Sequence, residues 1–561
     1  MIIILCLAAV AAPAQDKKKK YETYNYLRAM ECIGDMEFTE ALEYLKKDVQ
    51  ENPKNGYSYN YISALQMYFD EPGEALTASN KAIQYIPKKD AENLASAYDG
   101  RASVYLALED TVSALNDIEQ AMKLQPKDED LYKERAQIYY EQNKFDLSDN
   151  DYRKYIELQP GDVLGYMGLG RNANERKQWE QAIEQFNHVE KLSSDYSSVY
   201  SFRAESYLGL EKYREAVEDI VKAIEIDDDT KALMMLLTLD DKAYPDARTK
   251  LKLKALQNPN ESKWPFCQAL LEVKQDNYKS ALDFYKKANE IEGDGSFNNM
   301  IIECYTNMGD YDNAFRVADE VLAEDSTNTD MIQKKVFMLV ETGKFDEALT
   351  LSKSLFTDED SYTDSNFYIS GFANAMAGNY DDAVEDLTMA ISIDPEQPAY
   401  YFRRARVYDL LKQNDNAIAD YKKVIELETD STDYNYIMYG YVATGEYDKA
   451  EQTLKCMLGD KPTFNNLYDA ACLYSLMDKK EMALKYLNQS FEKGWREFIH
   501  MEWDTDLDNI RNTQEYIDMV EKYKRIHQQE IGANTTAGDE ANVLHGVTEV
   551  PFSREQGVCK V

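Results

Sequence analysis

The segment DTDLDNIRNTQE, residues 504–515, is the stretch of the sequence whose side chains are best spaced to bind a ligand. Its carboxylates fall at the first, third, fifth and twelfth places: Asp504, Asp506, Asp508 and Glu515. Calcium-binding loops place their oxygen ligands with this spacing. Against calcium, Asn509 stands where such loops need glycine for a sharp turn, and Arg511 fills a place that is usually apolar. Calcium binding is therefore one hypothesis for this segment, and helix capping by its aspartates is the other.

Other patterns that could support catalysis are scarce. Four histidines are scattered without a His-x-x-x-His pair, and neither a Gly-x-Ser-x-Gly elbow nor a Gly-Lys-Ser/Thr phosphate loop occurs. The glycine-rich stretch GYMGLGR, residues 165–171, has no strand before it, so Gly170 is expected to serve helix packing. The sequence thus predicts a protein that is not an enzyme, with no catalytic residue, no cofactor and no metal ligand beyond the calcium hypothesis.

The charge of the chain narrows the class of partner. Acidic residues outnumber basic ones by 102 to 63, a formal net charge of −39, and no long basic stripe interrupts this excess. Such a surface repels the nucleic acid backbone and anionic lipid. We therefore expect no nucleic acid as partner, and the excess of acidic residues serves either the solubility of an elongated surface or the binding of a basic partner.

The first fourteen residues, MIIILCLAAVAAPA, have the form of a secretory signal peptide. Their apolar run is about eleven residues long, whereas a helix that spans a bilayer needs about twenty. No Lys or Arg precedes the run, which a start codon placed a few residues late would explain. This segment predicts export to the periplasm or the extracellular space, with no membrane insertion after cleavage.

An alanine recurs along almost the whole chain with a period near 34 residues. It generally lies three residues after an aromatic residue and is followed by apolar or small residues four and seven places later. The fourteen positions, here called anchors, are separated by 31 to 39 residues: Ala41, Ala75, Ala114, Ser148, Ala182, Ala216, Ala247, Ala281, Ala314, Ala348, Ala383, Ala417, Ala450 and Ala483. Offsets of four and seven place side chains on one stripe of a helix, which must be buried.

A second helix is predicted before each anchor. A small residue recurs twelve places before the anchor: Ala102, Ala136, Gly170, Ala204, Ala269, Gly371, Ala405 and Ala471. Tyrosine recurs nine places before it: Tyr105, Tyr139, Tyr207, Tyr305, Tyr408, Tyr441 and Tyr474. Because only a short turn such as MAGN or ETGK separates the two helices, each unit is predicted to be an antiparallel hairpin with closely approaching backbones. Proline about twelve places after several anchors ends the second helix.

This period, with its Ala, Tyr and Pro pattern, resembles the tetratricopeptide repeat (TPR) family over residues 24–500. The resemblance implies an all-α fold, a right-handed superhelical solenoid of about fourteen units with a C-terminal capping helix and a short extended tail. One hairpin cannot bury its own apolar faces, so neighbouring units must stack. The family's clamp for chaperone tails needs Lys and Asn fifteen and eleven places before the anchor. Only Lys133 fits, and Gln137 follows it, so that ligand is not expected.

Interruptions of the pattern predict how the chain is divided. The unit anchored at Ala247 is short and lacks the earlier tyrosine, so a kink is expected there. A segment similar to those that close TPR arrays follows the last anchor. The predicted parts are a signal peptide at 1–14, an N-terminal array at 21–228, a degenerate repeat at 229–262, a C-terminal array at 263–496, an array-closing segment at 497–529, a linker at 530–549 and an extended tail at 550–561.

The resemblance implies that the first helix of each unit lines a concave face that binds the partner. Positions eighteen, fifteen and eleven places before the anchors, together with the basic cluster YYFRRAR, give the predicted contact residues: Tyr368, Phe372, Phe402, Arg403, Arg406, Asn435 and Tyr439. Guanidinium groups beside aromatic rings suit a peptide carboxylate or an acidic side chain. The alternative is that these arginines pair with Asp or Glu of neighbouring units.

The tail VPFSREQGVCKV, residues 550–561, resembles the opening strand of retroviral-type aspartic protease modules. No Asp-Thr-Gly or Asp-Ser-Gly follows it, so the sequence lacks the aspartate dyad that activates water. An ordinary frayed terminus is the other interpretation. The leading hypothesis is an exported, non-catalytic TPR scaffold that binds a protein or peptide in its concave groove. The alternative is the repeat portion of a larger exported enzyme whose aspartic protease module is missing from this sequence.

Overall fold

The computed structural model describes residues 21–538, apart from residues 276, 429–435 and 460–461. The predicted signal peptide at 1–14 and the extended tail at 550–561 lie outside this range. Every regular element of the described residues is helical, which confirms the all-α prediction. None of these helices is long and apolar enough to cross a lipid bilayer.

The described chain forms two compact units that divide between Ala232 and Leu233, inside the stretch predicted as a degenerate repeat. Unit 1 contains α1 (Tyr24–Gly34), α2 (Phe38–Glu51), α3 (Gly56–Tyr68), α4 (Pro72–Tyr85), α5 (Ala91–Ala107), α6 (Thr111–Leu124), α7 (Glu129–Glu141), α8 (Phe145–Leu158), α9 (Val163–Glu175), α10 (Trp179–Leu192), α11 (Ser197–Gly209) and α12 (Tyr213–Ile226). Helix α13 (Thr230–Leu237) contains the division. Consecutive helices of unit 1 pair as six antiparallel hairpins, from α1 and α2 to α11 and α12.

Unit 2 repeats the same arrangement. It contains α14 (Tyr244–Gln257), α15 (Lys263–Lys274), α16 (Tyr278–Glu292), α17 (Asn298–Asn307), α18 (Tyr311–Glu324), α19 (Thr329–Glu341), α20 (Phe345–Ser352), α21 (Asp364–Met376), α22 (Tyr380–Ile393), α23 (Pro398–Leu410), α24 (Asn414–Glu428), α25 (Ile437–Ala443), α26 (Tyr447–Leu458), α27 (Phe464–Leu476), α28 (Lys480–Glu492), α29 (Phe498–Trp503), α30 (Asp508–Arg511) and α31 (Gln514–Gly538). Short 3₁₀ segments lie at Lys353–Leu355, Glu359–Ser361 and Thr505–Leu507. Helix α31 extends nine residues into the segment predicted as a linker, so residues 530–538 are helical.

The anchors lie where the sequence pattern predicts the tightest packing. All thirteen anchor alanines and Ser148 are at most 1% exposed. The alanines twelve places earlier are equally buried, for example Ala136 and Ala204 at 0%. Small side chains at both points let the two backbones of a hairpin approach closely, as the spacing predicted.

Among the described residues, twelve hairpins turn through a residue with positive φ, five places before the anchor. This residue is glycine at Gly309, Gly343, Gly378 and Gly445, and another type at Met36, Asp70, Glu109, Asn143, Lys177, Glu211, Lys412 and Asp478. Because L side chains disfavour this region, the close approach of the two helices holds the turn in place against a local cost of about 1 kcal/mol. The repeated geometry confirms the hairpin register.

The glycine-rich stretch at 165–171 lies inside α9 and serves packing. A Cβ atom at Gly168 would lie 2.3 Å from the ring of Tyr152, and one at Gly170 would lie 2.4 Å from the ring of Phe186. These glycines therefore make room for aromatic rings of α8 and α10, which agrees with the packing interpretation of the sequence.

In four hairpins of the described chain, an ion pair with a buried aspartate joins the two helices. In each, an arginine thirteen places before the anchor forms two hydrogen bonds of 2.6 to 2.8 Å with an aspartate three places after it: Arg101 with Asp117, Arg135 with Asp151, Arg203 with Asp219, and Arg404 with Asp420. Tyrosine rings flank the guanidinium, at 5.3 Å for Tyr200 and 6.0 Å for Tyr207 around Arg203. The recurring tyrosines thus pack against these arginines.

Replacing one member of such a pair should destabilise unit 1. Arg203 and Asp219 are each only 6% exposed, so Arg203→Met leaves a buried carboxylate without its guanidinium. We expect the free energy of unfolding, measured by urea titration and circular dichroism, to fall by about 3 kcal/mol.

Two further variants test this explanation. The double variant Arg203→Met/Asp219→Leu should recover most of the loss, because an apolar pair avoids the buried charge. Arg214→Gln removes the exposed pair with Glu218, whose side chains are 79% and 50% exposed, and should change stability by less than about 0.5 kcal/mol. An equal effect of Arg203→Met and Arg214→Gln would contradict a role for the buried pair.

Candidate partner-binding surface

The residues predicted to bind a partner lie on the first helices of successive hairpins in unit 2. Tyr368 and Phe372 belong to α21, Phe402, Arg403 and Arg406 to α23, and Tyr439 to α25. Asn435 lies outside the described residues. We call the side of unit 2 formed by these first helices its inner surface.

The aromatic members of the predicted set pack between helices. The ring of Phe402 lies 4.9 Å from that of Tyr436 and 5.4 Å from that of Tyr439, measured between centroids. Tyr368 lies 5.1 Å from Tyr400 in the same way. These contacts join α21, α23 and α25, so the rings stabilise the stack of hairpins.

The prediction that Phe372 contacts a partner is wrong. Its side chain is only 1% exposed, and it lies beneath the guanidinium of Arg403, whose Cζ is 4.1 Å from the ring centroid. A ring covered in this way cannot reach a ligand. Phe372 instead supports Arg403 through a cation–π contact.

Arg406 already has an acidic partner within the chain. Its guanidinium pairs with the carboxylate of Asp506 and donates a hydrogen bond of 3.1 Å to Oγ1 of Thr505. Asp506 lies 100 residues further along the chain. The carboxylate that Arg406 binds in this structure therefore comes from a distant segment of the same chain, and not from a neighbouring unit.

That segment, residues 495–511, is here called the closing segment, and its first half reaches the hairpin of α19 and α20. Nδ1 of His500 lies 3.0 Å from Oε2 of Glu341, the last residue of α19. The ring of Trp503 meets the ring of Phe345 edge to face at 6.3 Å between centroids. His500 and Glu341 are 159 residues apart in sequence.

The second half of the closing segment lies on α27. The hydroxyl of Tyr468 donates a hydrogen bond of 2.7 Å to Oδ2 of Asp504, and Sγ of Cys472 lies 3.4 Å from the same oxygen. Nδ2 of Asn509 donates to the backbone carbonyl of Ser475 at 2.8 Å. The closing segment therefore contacts three first helices, α19, α23 and α27, and covers part of the inner surface of unit 2.

The charges at this contact shift the pKa values of the groups involved. Burial alone would lower the pKa of His500, but the charge of Glu341, with those of Asp504 and Glu497, raises it to about 10. Burial raises the pKa of Asp506 to about 6, although the charge of Arg406 opposes this shift. Because its pKa is about 10, His500 is cationic at neutral pH, as is Arg406.

Three of the four carboxylates of the calcium hypothesis have separate partners. Asp504 faces Tyr468, Asp506 faces Arg406, and Oδ1 of Asp508 lies 3.1 Å from Nε of Arg511. Oδ1 of Asp504 also accepts a hydrogen bond of 3.0 Å from the N–H of Asp506, which is the capping role of the second hypothesis.

One thiol and two carboxylates do converge at this place. The ligand atoms of Cys472, Asp504 and Asp506 all lie within 4.8 Å of one another, close enough to share a metal ion. The guanidinium of Arg406 and the hydroxyl of Tyr468 already neutralise or satisfy these oxygens. The arrangement acts in this structure as a buried network of ion pairs and hydrogen bonds.

Sequence reasoning missed most of this contact. Glu341, Tyr468, Cys472 and His500 have no common spacing, and no local pattern brings them together. The available signal was the complementarity between the basic stretch YYFRRAR and the acidic stretch DTDLD.

The stability of unit 2 should depend on pH through His500. Its pKa is raised from 6.5 in the unfolded chain to about 10, so the stabilisation is complete below pH 6.5 and is lost as the pH rises through 10. We expect urea unfolding, followed by tryptophan fluorescence, to show a loss of stability between pH 7 and 10 that is larger in the wild type than in His500→Gln. The difference should be at least about 1 kcal/mol, since one pKa unit corresponds to about 1.4 kcal/mol.

The matched control is His188→Gln, at a histidine that is exposed on α10. This variant should keep the wild-type dependence on pH. Identical profiles for the wild type and His500→Gln would show that the ion pair with Glu341 contributes nothing to stability.

Family models for the tetratricopeptide repeat match three segments of the chain, residues 133–197, 197–230 and 398–431. The first two lie in unit 1 and correspond to the hairpins from α7 to α12. The third lies in unit 2 and corresponds to the hairpin of α23 and α24.

Several known proteins are similar in sequence to parts of this chain. The human mitochondrial import receptor subunit TOM70 is 22% identical over 280 residues, 48% of this chain and 46% of the receptor. Human DnaJ homolog subfamily C member 7 is 21% identical over 351 residues, 54% of this chain and 67% of that protein. The chain thus spans about half to two thirds of these relatives.

A crystal structure of a tetratricopeptide repeat protein from Parabacteroides merdae is 18% identical and covers 50% of this chain and 97% of its own, with a TM-score of 0.34. This structural similarity covers half of the chain and carries no information on how its units are arranged. Matched repeats in both units, and the helical hairpins that carry them, show that the chain contains tetratricopeptide repeats.

Proposed function

We propose that the protein is an exported, non-catalytic scaffold that binds a protein or peptide on the first helices of its hairpins. The observation that carries this proposal is the closing segment, which these helices hold in unit 2 through Arg406, Glu341 and Tyr468. A surface that binds one acidic segment of its own chain has the chemistry to bind a segment of another protein. Export rests on the form of residues 1–14.

Unit 1 offers comparable groups on its first helices. The guanidinium of Arg171 on α9 lies 4.4 Å from the ring centroid of Tyr140 on α7 and 5.6 Å from that of Phe202 on α11. Nζ of Lys231 on α13 lies 4.3 Å from the same Phe202 ring and 2.8 Å from Oε2 of Glu205, so this cation already has one carboxylate partner within unit 1. Cations held against aromatic rings are well placed to meet a carboxylate of a partner.

The similar proteins agree with partner binding. One of them is named as a subunit of a mitochondrial import receptor. The excess of acidic over basic residues disfavours nucleic acid as a ligand. A protein or peptide is therefore the class of partner that we propose.

Site-specific photo-crosslinking tests where the partner binds. A photoreactive amino acid is placed at Ser103 or Gln137, which lie eleven places before their anchors on first helices, and at Glu184 on the second helix α10 as a control. We expect cells that produce the variants to yield cross-linked partner at least about tenfold more efficiently from the two first-helix positions. Equal cross-linking at Glu184 would contradict binding on the first helices.

Export is tested separately by N-terminal sequencing of the protein recovered from the periplasm or the medium. We expect the mature chain to begin near Gln15, after the small residues Ala12 and Ala14. Recovery of the protein only in the cytoplasm, with an intact N-terminus, would contradict export.

A further inference from the structure

We propose that the closing segment is an internal ligand of unit 2, which a partner's segment with the same charge pattern displaces. The partner segment would present a cation to Glu341 and two carboxylates, four and six residues later, to Tyr468 and Arg406. This inference rests on the proposed function, since it names the chemistry of the partner for one surface.

The apolar part of the closing segment is a cap for the last hairpin. Trp495 is 2% exposed and stacks on Tyr468 at 4.1 Å, while Leu507 and Ile510 are fully buried. These side chains belong to one hydrophobic cluster with residues of α25 to α28 and with Tyr516 and Tyr523 of α31. This hydrophobic cluster is sufficient to cover the exposed end of the stack of repeats.

The polar contacts reach beyond what a cap requires. Glu341 belongs to the hairpin of α19 and α20 and Arg406 to that of α23 and α24, whereas the cap covers α27 and α28. His500 and Asp506 contact these two earlier hairpins through ion pairs. The closing segment thus binds to the inner surface at discrete charged points, as a ligand does.

The contact between the closing segment and the inner surface leaves some buried polar groups poorly satisfied, which favours its replacement by a partner segment. Nε1 of Trp503 is shut off from solvent and has no hydrogen-bond acceptor among the described residues. An unsatisfied buried donor costs about 1 to 3 kcal/mol. Burial also disfavours the ionised form of Asp506, which raises its pKa. Displacement of the closing segment would return Trp503 and Asp506 to water, which offsets part of the cost of breaking the contact.

Charge defines the competing segment. Arg406 is a cation on an acidic chain, so it selects a carboxylate, and its planar guanidinium can bind that carboxylate through two hydrogen bonds. Glu341 selects a cation, which His500 supplies in the closing segment. The spacing of His500, Asp504 and Asp506 therefore describes the partner: a short helical turn with a cation, followed by Asp-x-Asp.

The test uses the full chain and a labelled synthetic peptide with the sequence of residues 494–509, GWREFIHMEWDTDLDN. Asp504→Asn/Asp506→Asn weakens the internal contact, and fluorescence anisotropy measures how tightly the peptide binds. We expect the double variant to bind the peptide at least about tenfold more tightly than the wild type, because the internal ligand no longer competes. Adding Arg406→Gln should remove this gain.

The control has the same change in charge. Asp508→Asn/Asp518→Asn alters two exposed carboxylates, whose partners among the described residues are Arg511 and Gln514. It should bind the peptide as weakly as the wild type. Equal binding by both double variants, or binding that is insensitive to Arg406→Gln, would overturn the proposal.

Hydrogen exchange shows whether the opening is local. In Asp504→Asn/Asp506→Asn, protection should fall at residues 502–506 and persist at residues 514–527, which Tyr516 and Tyr523 hold in the apolar cluster. Loss of protection in both regions would mean that cap and internal ligand cannot be separated, and would overturn the proposal.

Measuring the oligomeric state tests whether the inner surface of unit 2 instead binds the closing segment of a second copy of the chain. If the opened variant forms dimers in light scattering and does not bind the peptide, the surface takes the closing segment of a second copy, and the proposed partner is wrong. Cross-linking at Ser103 and Gln137 reports on unit 1 and is independent of this result. Failure of the internal ligand is therefore distinguishable from failure of the proposed function.

Discussion

The close approach of two helix backbones at a small residue is the contact on which the rest of the structure depends. Each anchor is at most 1% exposed, and a larger side chain there would force the helices apart. Because the two helices are packed together at the anchor, the turn between them can hold a residue with positive φ. The apolar faces on the outside of the hairpin stay exposed to water unless neighbouring hairpins cover them. Stacking follows from the fact that one hairpin cannot bury both of its faces.

The buried arginine–aspartate pairs depend on the same approach. A guanidinium reaches a carboxylate with two bonds of 2.6 to 2.8 Å because the backbones of the two helices are close. Such a pair adds little net stability compared with an apolar pair, but it strongly disfavours any register that separates the charges. The flanking tyrosines restrict the guanidinium further, which explains part of the unusual number of tyrosines, 43 in the chain.

Stacking also creates a surface that no single hairpin possesses. Glu341, Arg406 and Tyr468 come from three hairpins of unit 2 and meet one acidic segment. The segment is held at its apolar residues as part of the cap and at its charged residues as a ligand. The closing segment therefore both covers the end of the repeat array and occupies the charged groups that would bind a partner. Binding of a partner can thus be coupled to release of this segment.

The sequence alone determined the repeat period, the hairpins and the buried anchors, because a helical stripe is encoded by residues only four and seven places apart and recurs fourteen times. The pairing of Arg404 with Asp420 was not predicted, although the same offsets recur in other units. The tertiary structure decided that Phe372 is buried and that Arg406 meets Asp506. These contacts join residues up to 159 positions apart, and which surfaces meet depends on how several hairpins stack, which no local spacing encodes.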